Sequence, residues 1–308
     1  LASALLDAFA TSTSTLSNSL NSIIRSLLVL AITLPLQAAL PLKVVTWNLE
    51  WFPGKRPTAS ANEADAHMKA AQAALQKINP DIFIGVEVRD WAAFHELVSV
   101  IPGLTTNVVS TFIDPETGEI RPQQIGIASK LTCRAADSEA WKANVPNNPR
   151  GFAFAALEQK NGNLLMVYGL HLKSNRGDAA EVALMRNDQA RQIIAQRPIV
   201  EKAFSGKAFA DKKIAGWIVT GDFNTNHDGQ FPLCKVIEEM TAAGFRNTWA
   251  DTPQKDRLTW ESARESEFKP TTFDYFMTLG LGNLTATMLK SPSEISDHRA
   301  IMLMVPQD

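Results

Sequence analysis

Cysteine is scarce: Cys133 and Cys234 alone stand in a chain of 308 residues. That excludes a disulfide scaffold and leaves two thiols that either pair with each other or stay free. The five histidines are dispersed, and no cysteine–histidine cluster competes for zinc. Excess charge is missing too. A formal net charge of -2 argues against indiscriminate binding to nucleic acid, while leaving room for a local basic rim. No apolar run reaches the roughly 20 residues that a spanning helix needs, so stable membrane insertion is not expected. Internal repeats and low-complexity tracts are absent as well, which leaves a single domain as the simplest organisation.

What is present is ordinary globular usage, 45% apolar and 20% charged residues, in a length ample for a large core. The first 40 residues differ from the rest. A Ser/Thr/Asn-rich lead, Arg25, and then "SLLVLAITLPLQAAL" with Ala38 and Ala39 at its end have the layout of an export signal. Residues 1–40 are therefore expected to be a signal peptide or N-terminal extension, and 41–308 the functional domain. A signal would send the protein to a secreted or periplasmic location; an extension would leave it cytoplasmic. A monomer is expected in either case.

From residue 41 short apolar runs alternate with helical patterns. "KVVTWNLEW" alternates like a strand until Pro53-Gly54 stops it. Ser60 and Glu63 have capping-box spacing and open a helix whose Met68, Ala71, Leu75 and Ile78 share a face. "DIFIGVEV" reads as a buried central strand, with Glu87 the residue to explain. "QIGIASK", "GFAFAALEQ" and "NLLMVYGLHLKS" are further strands, the last two joined by a turn at Asn161-Gly162. A long helix follows from about Asp178 to Phe204, then the strand "GWIVTGDFNTN", a helix over 232–243, and the strands "TTFDYFMTL" and "ISDHRAIMLMV".

The polar residues that interrupt this pattern share a location. Asn48, Glu87, His171, Asp222, Asn224, Asp274, Asp297 and His298 each stand at the end of an apolar strand or in the turn just beyond it. Singly, a strand-end carboxylate is a turn former and a lone histidine a structural residue. Together they are different, because buried carboxylates repel one another and must be neutralised by a cation or a proton. Acids, amides and histidines of this kind suit a hard-cation site with acid–base groups beside it.

The segments "TWNLEW", "DIFIGVEV", "YGLHLKSN", "TGDFNTN", "TFDYFM" and "ISDHRAI" resemble, in order and approximate spacing, those of the endonuclease/exonuclease/phosphatase family, over about residues 43–306. The resemblance implies an α/β fold, a four-layer sandwich of two mixed sheets flanked by helices, and each half of the chain is expected to supply one sheet. It implies Glu87 as the principal ligand of Mg2+ or Mn2+, with Asn48 beside it, Asp297 as a second metal contact or a group that orients the attacking water, and Ca2+ as a supporting ion. Asp222 would activate a water and Asn224 bind phosphate. His298 would act on the phosphoryl oxygen, oriented by Asp274, and His171 would contact the scissile phosphate or protonate the leaving oxygen. Lys173, Arg150 and Arg176 are candidate phosphate contacts, whereas Glu50 has no role in the family pattern.

The reaction implied is in-line attack of water on a phosphodiester, without a covalent intermediate. The "GDFNTN" and "LTWESARES" segments depart from the inositol polyphosphate phosphatase pattern, and the basic face of abasic-site endonucleases is not recognisable. "HLKSN", with the export-like lead, is similar to secreted or periplasmic nucleases, so DNA or RNA is the expected substrate. The alternative is a lipid or small-molecule phosphoesterase on the same fold. Trp51, Trp141 and Trp249 are candidate base-stacking residues if exposed.

Overall fold

In the computed structural model, which describes residues 40–114, 117–142, 144–145, 148–261 and 269–307, the first apolar run forms β1 (Leu42–Phe52). The expected leader, Leu40 apart, lies outside the described residues. Ser60 and Glu63 cap each other reciprocally and start α1 (Ala61–Ile78), which buries Met68, Ala71 and Leu75 and ends at a left-handed Asn79. Next come the wholly buried β2 (Ile82–Val88), α2 (Trp91–Val98), β3 (Thr105–Val109) and β4 (Gln124–Ser129). They are followed by β5 (Thr132–Ala140), β6 (Gly151–Glu158), β7 (Leu164–His171), α3 (Ala179–Phe204) and β8 (Ile214–Asp222). The chain closes with α4 (Val236–Ala242), β9 (Arg246–Asn247), β10 (Asp274–Leu279), β11 (Thr287–Met288) and β12 (Ile301–Val305).

The strands form two mixed six-stranded sheets, ordered β11-β12-β1-β2-β4-β3 and β5-β6-β7-β8-β10-β9. Among the described residues only β1–β2 and β7–β8 pair in parallel, and both pairs sit mid-sheet, where the strands are largely apolar. One core joins the sheets: Val44, Ile84, Val86, Ile125 and Ile127 of the first sheet belong to a continuous cluster with Ala155, Leu165, Val167 and Ile218 of the second. That cluster runs on to Ala190 and Ile193 of α3 and Ile237 and Met240 of α4. A second cluster packs α1 and α2, through Met68, Leu75, Phe94 and Leu97, on Trp47, Leu49 and Phe83. The architecture is the expected sandwich, helices outside and sheets within.

The chain does not divide into halves between the sheets as expected. The last two strands return to the first sheet, where β12 pairs antiparallel with β1 from Leu42↔Val305 to Thr46↔Ile301. Without β12, β1 would be left with an open edge beside a fully buried core. The return also carries the turn before β12 to the end of β1, and so brings the two ends of the domain to one site.

Candidate active site

Strand register assembles the first part of the site. His171 lies opposite Asp222 across the parallel β7–β8 pair, and Asp222 lies opposite Asp274 across the antiparallel β8–β10 pair. The three therefore form one row at the end of the second sheet. Gly221 makes the row possible. At φ 135° it takes a backbone conformation that favours glycine, and a Cβ there would fall 2.0 Å from the Leu170 carbonyl oxygen.

The first sheet reaches the row through two irregularities. Between Asn48 and Phe52 the β1–β2 register shifts, and between Val86 and Val88 the β2–β4 register shifts by one residue, Glu87. Glu87 is thus a bulge residue with φ 62°, and Glu50 and Trp51 in the facing bulge have φ 51° and 53°. A bulge re-aims side chains that regular pleating would send into the core or the neighbouring helices. Glu87 Oε2 accepts the Trp51 N–H at 2.9 Å and its Oε1 accepts Asn48 Nδ2 at 3.2 Å. The same Nδ2 donates to Asp222 Oδ2 at 3.0 Å, so Asn48 bridges acids from the two sheets.

The turn before β12 completes the cluster. Ser296 Oγ donates to the Asn48 carbonyl at 2.7 Å and accepts the His298 N–H at 2.9 Å, while Trp47 Nε1 donates to the His298 carbonyl. The imidazole of His298 then sits with Nδ1 2.8 Å from Asp274 Oδ2, and Nε2 3.7 Å from Asp222 Oδ2 and 3.5 Å from Asn48 Nδ2. His171 Nε2 is 3.5 Å from Asp222 Oδ2 and 3.8 Å from Glu87 Oε1. Asn48, Glu87, His171, Asp222, Asp274 and His298 are all buried. Asn224, also buried, has φ 51°; its N–H donates to Asp222 Oδ1 at 2.8 Å and its Nδ2 to the Leu172 carbonyl at 3.2 Å.

Burial and mutual charge give the two histidines opposite characters. Burial alone would push His298 down, but the Asp274 and Asp222 carboxylates overcome it and hold the imidazole well above its ordinary value. His171 is driven well below it by burial, with the charges of Arg150 and His298 adding to the effect. Burial lifts Asp222 to about 7; Asp274 and Glu87 push the same way, and His298 and the Asn224 N–H push against them. At neutral pH the site thus holds a charged imidazole, a neutral one, and a carboxyl group poised between its two forms.

Asp297 does not join this cluster directly. Its Oδ2 accepts Trp260 Nε1 at 2.9 Å and its N–H donates to Glu50 Oε2 at 3.1 Å, so it meets Glu50 on the flank of the site. Burial and the Asp297 charge raise Glu50, opposed by Lys55 at 3.0 Å. Two of the candidate phosphate contacts, Arg150 and Lys173, are turned toward the protein. Arg150 donates to the His171 and Leu172 carbonyls at 3.0 and 2.7 Å and to Gln123, and Lys173 Nζ donates to the Ser174 and Arg176 carbonyls at 3.2 and 2.6 Å. Arg176 itself is exposed. Trp141 and Trp249 are buried core residues and are not available for stacking, Trp51 is half-buried, and Trp91, which the sequence pattern did not single out, is 50% exposed.

Among the described residues no group of three or more His, Cys, Asp or Glu side chains is arranged to hold a metal ion. A Mg2+ site needs fewer, because that ion keeps several waters and binds through one or two carboxylates. Glu87 supplies a carboxylate, and the Asn48 amide oxygen, which accepts the Glu50 N–H at 3.0 Å, has a second lone pair. Burial is the main cause of the upward push on Asp222, and the Asp274 and Glu87 charges that add to it are ones a cation would offset. On donor chemistry and charge, the residues fit a hard divalent cation.

No protein-family model and no curated protein matches the sequence. Solved structures do match. An endonuclease/exonuclease/phosphatase from Beutenbergia cavernae is 15% identical with a TM-score of 0.63, over 87% of this chain and 72% of that one. The human Nocturnin catalytic domain with a bound sulfate anion is 18% identical with a TM-score of 0.62, over 87% of this chain and 93% of that one. A mannosyl-6-phosphatase from Bacteroides thetaiotaomicron is 14% identical with a TM-score of 0.55, over 86% of this chain and 99% of that one. Identities this low speak to architecture, and the architecture of this chain is the endonuclease/exonuclease/phosphatase fold.

Proposed function

We propose that the chain is a divalent-metal-dependent phosphodiester hydrolase, a nuclease that works outside the cytoplasm. The observation that carries the reading is the meeting of Asn48, Glu87, His171, Asp222, Asp274 and His298 within 3.8 Å links at facing ends of the two sheets. Neither a folding core nor a surface salt bridge requires such a cluster, since buried acids repel and desolvation opposes each of them. Among the fold neighbours, one carries the name of a phosphatase and another a bound sulfate. Residues 1–40 have the layout of an export signal, which supports a secreted or periplasmic location. Among the described residues no helix is long and apolar enough to cross a membrane.

Glu87 and Asn48 would hold the cation, which when bound supplies positive charge beside the phosphoryl group. Asp222, buried with its Oδ2 turned to Asn48, His171 and His298, is placed to take a proton from water. The water oxygen bonds to phosphorus while the opposite P–O bond breaks, and the leaving oxygen must gain a proton. Of the two imidazoles, His298 is the one that carries a charge it can give up without becoming an anion. His298 is therefore assigned as proton donor, held at Nδ1 by Asp274. His171, kept neutral, donates only a hydrogen bond to a phosphoryl oxygen, as does Asn224. Asp297 acts from the flank with Glu50, steadying the loop that presents His298.

The test is a substrate panel with added Mg2+: plasmid DNA, RNA, sphingomyelin, inositol phosphates and bis(p-nitrophenyl) phosphate. Cleavage of a nucleic acid together with the synthetic diester, abolished by chelation and restored by Mg2+ or Mn2+, is the expected result. Turnover confined to sphingomyelin or to monoesters would replace the nuclease reading by a lipid or small-molecule phosphoesterase. One observation favours that alternative. Ile113 and Ile120 pair across a β-bridge and stand 59% and 57% exposed, in the segment leading to Gln123, which holds Arg150.

A further inference from the structure

The buried stripe of α3 comprises Val182, Ala183, Arg186, Gln189, Ala190 and Ile193. An arginine and a glutamine are foreign to it: Arg186 is 2% exposed and Gln189 is fully buried. Gln189 is spent on the chain beyond β7, accepting the Lys173 N–H at 3.0 Å and donating to Asn148 Oδ1 at 2.5 Å. Arg186 reaches the end of β8. Its Nη1 donates to the Asn224 carbonyl, its Nη2 donates to Asn175 Oδ1 at 2.7 Å, and its guanidinium lies 5.5 Å from the centre of the Phe231 ring. Asn175 Nδ2 adds a second donor to the same Asn224 carbonyl at 3.0 Å.

This is a costly way to fill a helix stripe. Among the described residues no carboxylate forms an ion pair with Arg186, and its Nε has no hydrogen-bond partner. A buried charge resting on neutral oxygens is less stable than a well-packed methionine or leucine would be. What the arrangement achieves is control of one residue. Asn224, a non-glycine at φ 51°, is gripped at its carbonyl by Arg186 and Asn175, at its amide nitrogen by the Leu172 carbonyl, and at its N–H by Asp222 Oδ1. A left-handed non-glycine persists where its surroundings over-determine it. The last of these contacts matters most. By occupying Asp222 Oδ1, the Asn224 N–H leaves Oδ2 turned to Asn48, His171 and His298.

We propose that Arg186 is a positioning residue of the hydrolytic site: from α3 it locks Asn224 in its left-handed conformation and, through the Asn224 N–H, sets the plane of the Asp222 carboxylate. The proposal rests on the hydrolase reading for its effect on turnover and on the geometry alone for its effect on the backbone. Both Arg186→Met and Arg186→Lys lose the two-pronged grip, the second while keeping the charge.

Three measurements on each variant decide the matter: steady-state hydrolysis of bis(p-nitrophenyl) phosphate with Mg2+, hydrogen exchange of peptides covering 218–226 and 164–171, and the urea midpoint. The expected result is faster exchange over 223–226 with the 164–171 strand unchanged. With it should come a fall in kcat of about 10²-fold, of the size that a misplacement of about 1 Å can cause, and a KM within about threefold of wild type. Low millimolar guanidinium should restore part of the turnover of Arg186→Ala. Unchanged exchange over 223–226, or a kcat within twofold of wild type in an active enzyme, would overturn the proposal. So would equal acceleration of exchange in both segments, which would make Arg186 a general stabiliser. Should Arg186→Met not fold, Arg186→Lys carries the test. Should the wild-type protein hydrolyse no phosphoester, the hydrolase reading falls, and the exchange comparison still decides whether Arg186 fixes Asn224.

Discussion

The pairing of Asp274 with His298 lends itself to a double-mutant cycle. The two meet at 2.8 Å, within the range of charge-assisted hydrogen bonds, and both are buried. At an effective dielectric near 20, unit charges about 4 Å apart attract by about 4 kcal/mol, and closer ones by more. Asp274→Asn keeps the shape and removes the charge, so most of that support for the imidazolium is lost. A loss of about 3 kcal/mol corresponds to about 10²-fold in turnover. His298→Ala removes the donor itself and should cost at least as much, and the double variant should be little worse than His298→Ala, because groups acting as one unit do not add. Stability should be coupled as well. Among the described residues Asp274 Oδ1 has no hydrogen-bond partner, so His298→Ala leaves both carboxylate oxygens buried and unpaired there, at a cost of about 3–5 kcal/mol. Adding Asp274→Asn to that variant removes the stranded charge and should recover part of the loss. Rate constants and urea midpoints for the two single variants and the double give both coupling terms. If Asp274 only shapes the start of β10, the two changes will combine additively in turnover and in stability, and the assignment of a positioned proton donor is wrong.

Glu87→Gln should leave the fold intact and abolish both turnover and Mn2+ binding measured by calorimetry, because Glu87 supplies the carboxylate among the fitted donors; full activity in this variant or in excess chelator would exclude the metal assignment. Gly221→Ala forces a side chain into a backbone at φ 135° with its Cβ 2.0 Å from the Leu170 carbonyl; a loss of about 2 kcal/mol or more is expected, and an unshifted urea midpoint would refute the account of the β7–β8 approach. His67, whose Nδ1 accepts the Gly54 N–H at 2.8 Å, is pushed down to about 4 by burial, against an ordinary value of 6.5, with Lys55 adding to the push. The folded state then binds fewer protons than the unfolded chain, so this contribution to stability is whole above pH 6.5 and is lost as pH falls toward 4. His67→Gln should flatten the urea midpoint across that window, and a midpoint curve with unchanged slope would count against it.

Much of this site could be read from sequence because strand ends are legible: "GDFN", "SDH" and "GVEV" each place a polar residue just where an apolar run stops. The capping box at Ser60 was legible for the same reason, being local chemistry. What escaped depended on partners far along the chain. The edge strand β5, "TCRAADSEA", is largely exposed and has too little apolar alternation to stand out, and α2 is eight residues long. That Glu87 is a bulge residue cannot be read from "DIFIGVEV", which looks regular; the bulge exists only relative to β4. Arg150 and Lys173 look like phosphate contacts by type and position, yet Arg150 donates to the His171 and Leu172 carbonyls and to Gln123, and Lys173 to the Ser174 and Arg176 carbonyls. Arg186 sits in a helix rich in Arg and Gln, where nothing local distinguishes the buried arginine from its exposed neighbours.

The placement of the acids follows from how the two sheets end. Opposed residues of neighbouring strands share a face, so the register His171↔Asp222↔Asp274 fixes three side chains on one face of the second sheet without any special loop. A slip of one residue in either pairing would turn one of them to the other face, and the apolar residues of the same strands would turn with it. Core packing therefore protects the spacing of this row, even though the acids themselves oppose folding. The first sheet could not contribute by regular register, since Asn48 is paired with Val86 and Glu87 lies one step beyond. Its two bulges supply the missing displacement, at the expense of three left-handed residues, Glu50, Trp51 and Glu87. Backbone irregularity in the first sheet is thus concentrated beside Glu87 and Asn48, the residues that would hold the cation. A cation bound by Glu87 and Asn48 would add favourable energy where the backbone is most strained, so ligand binding and bulge stability should rise together.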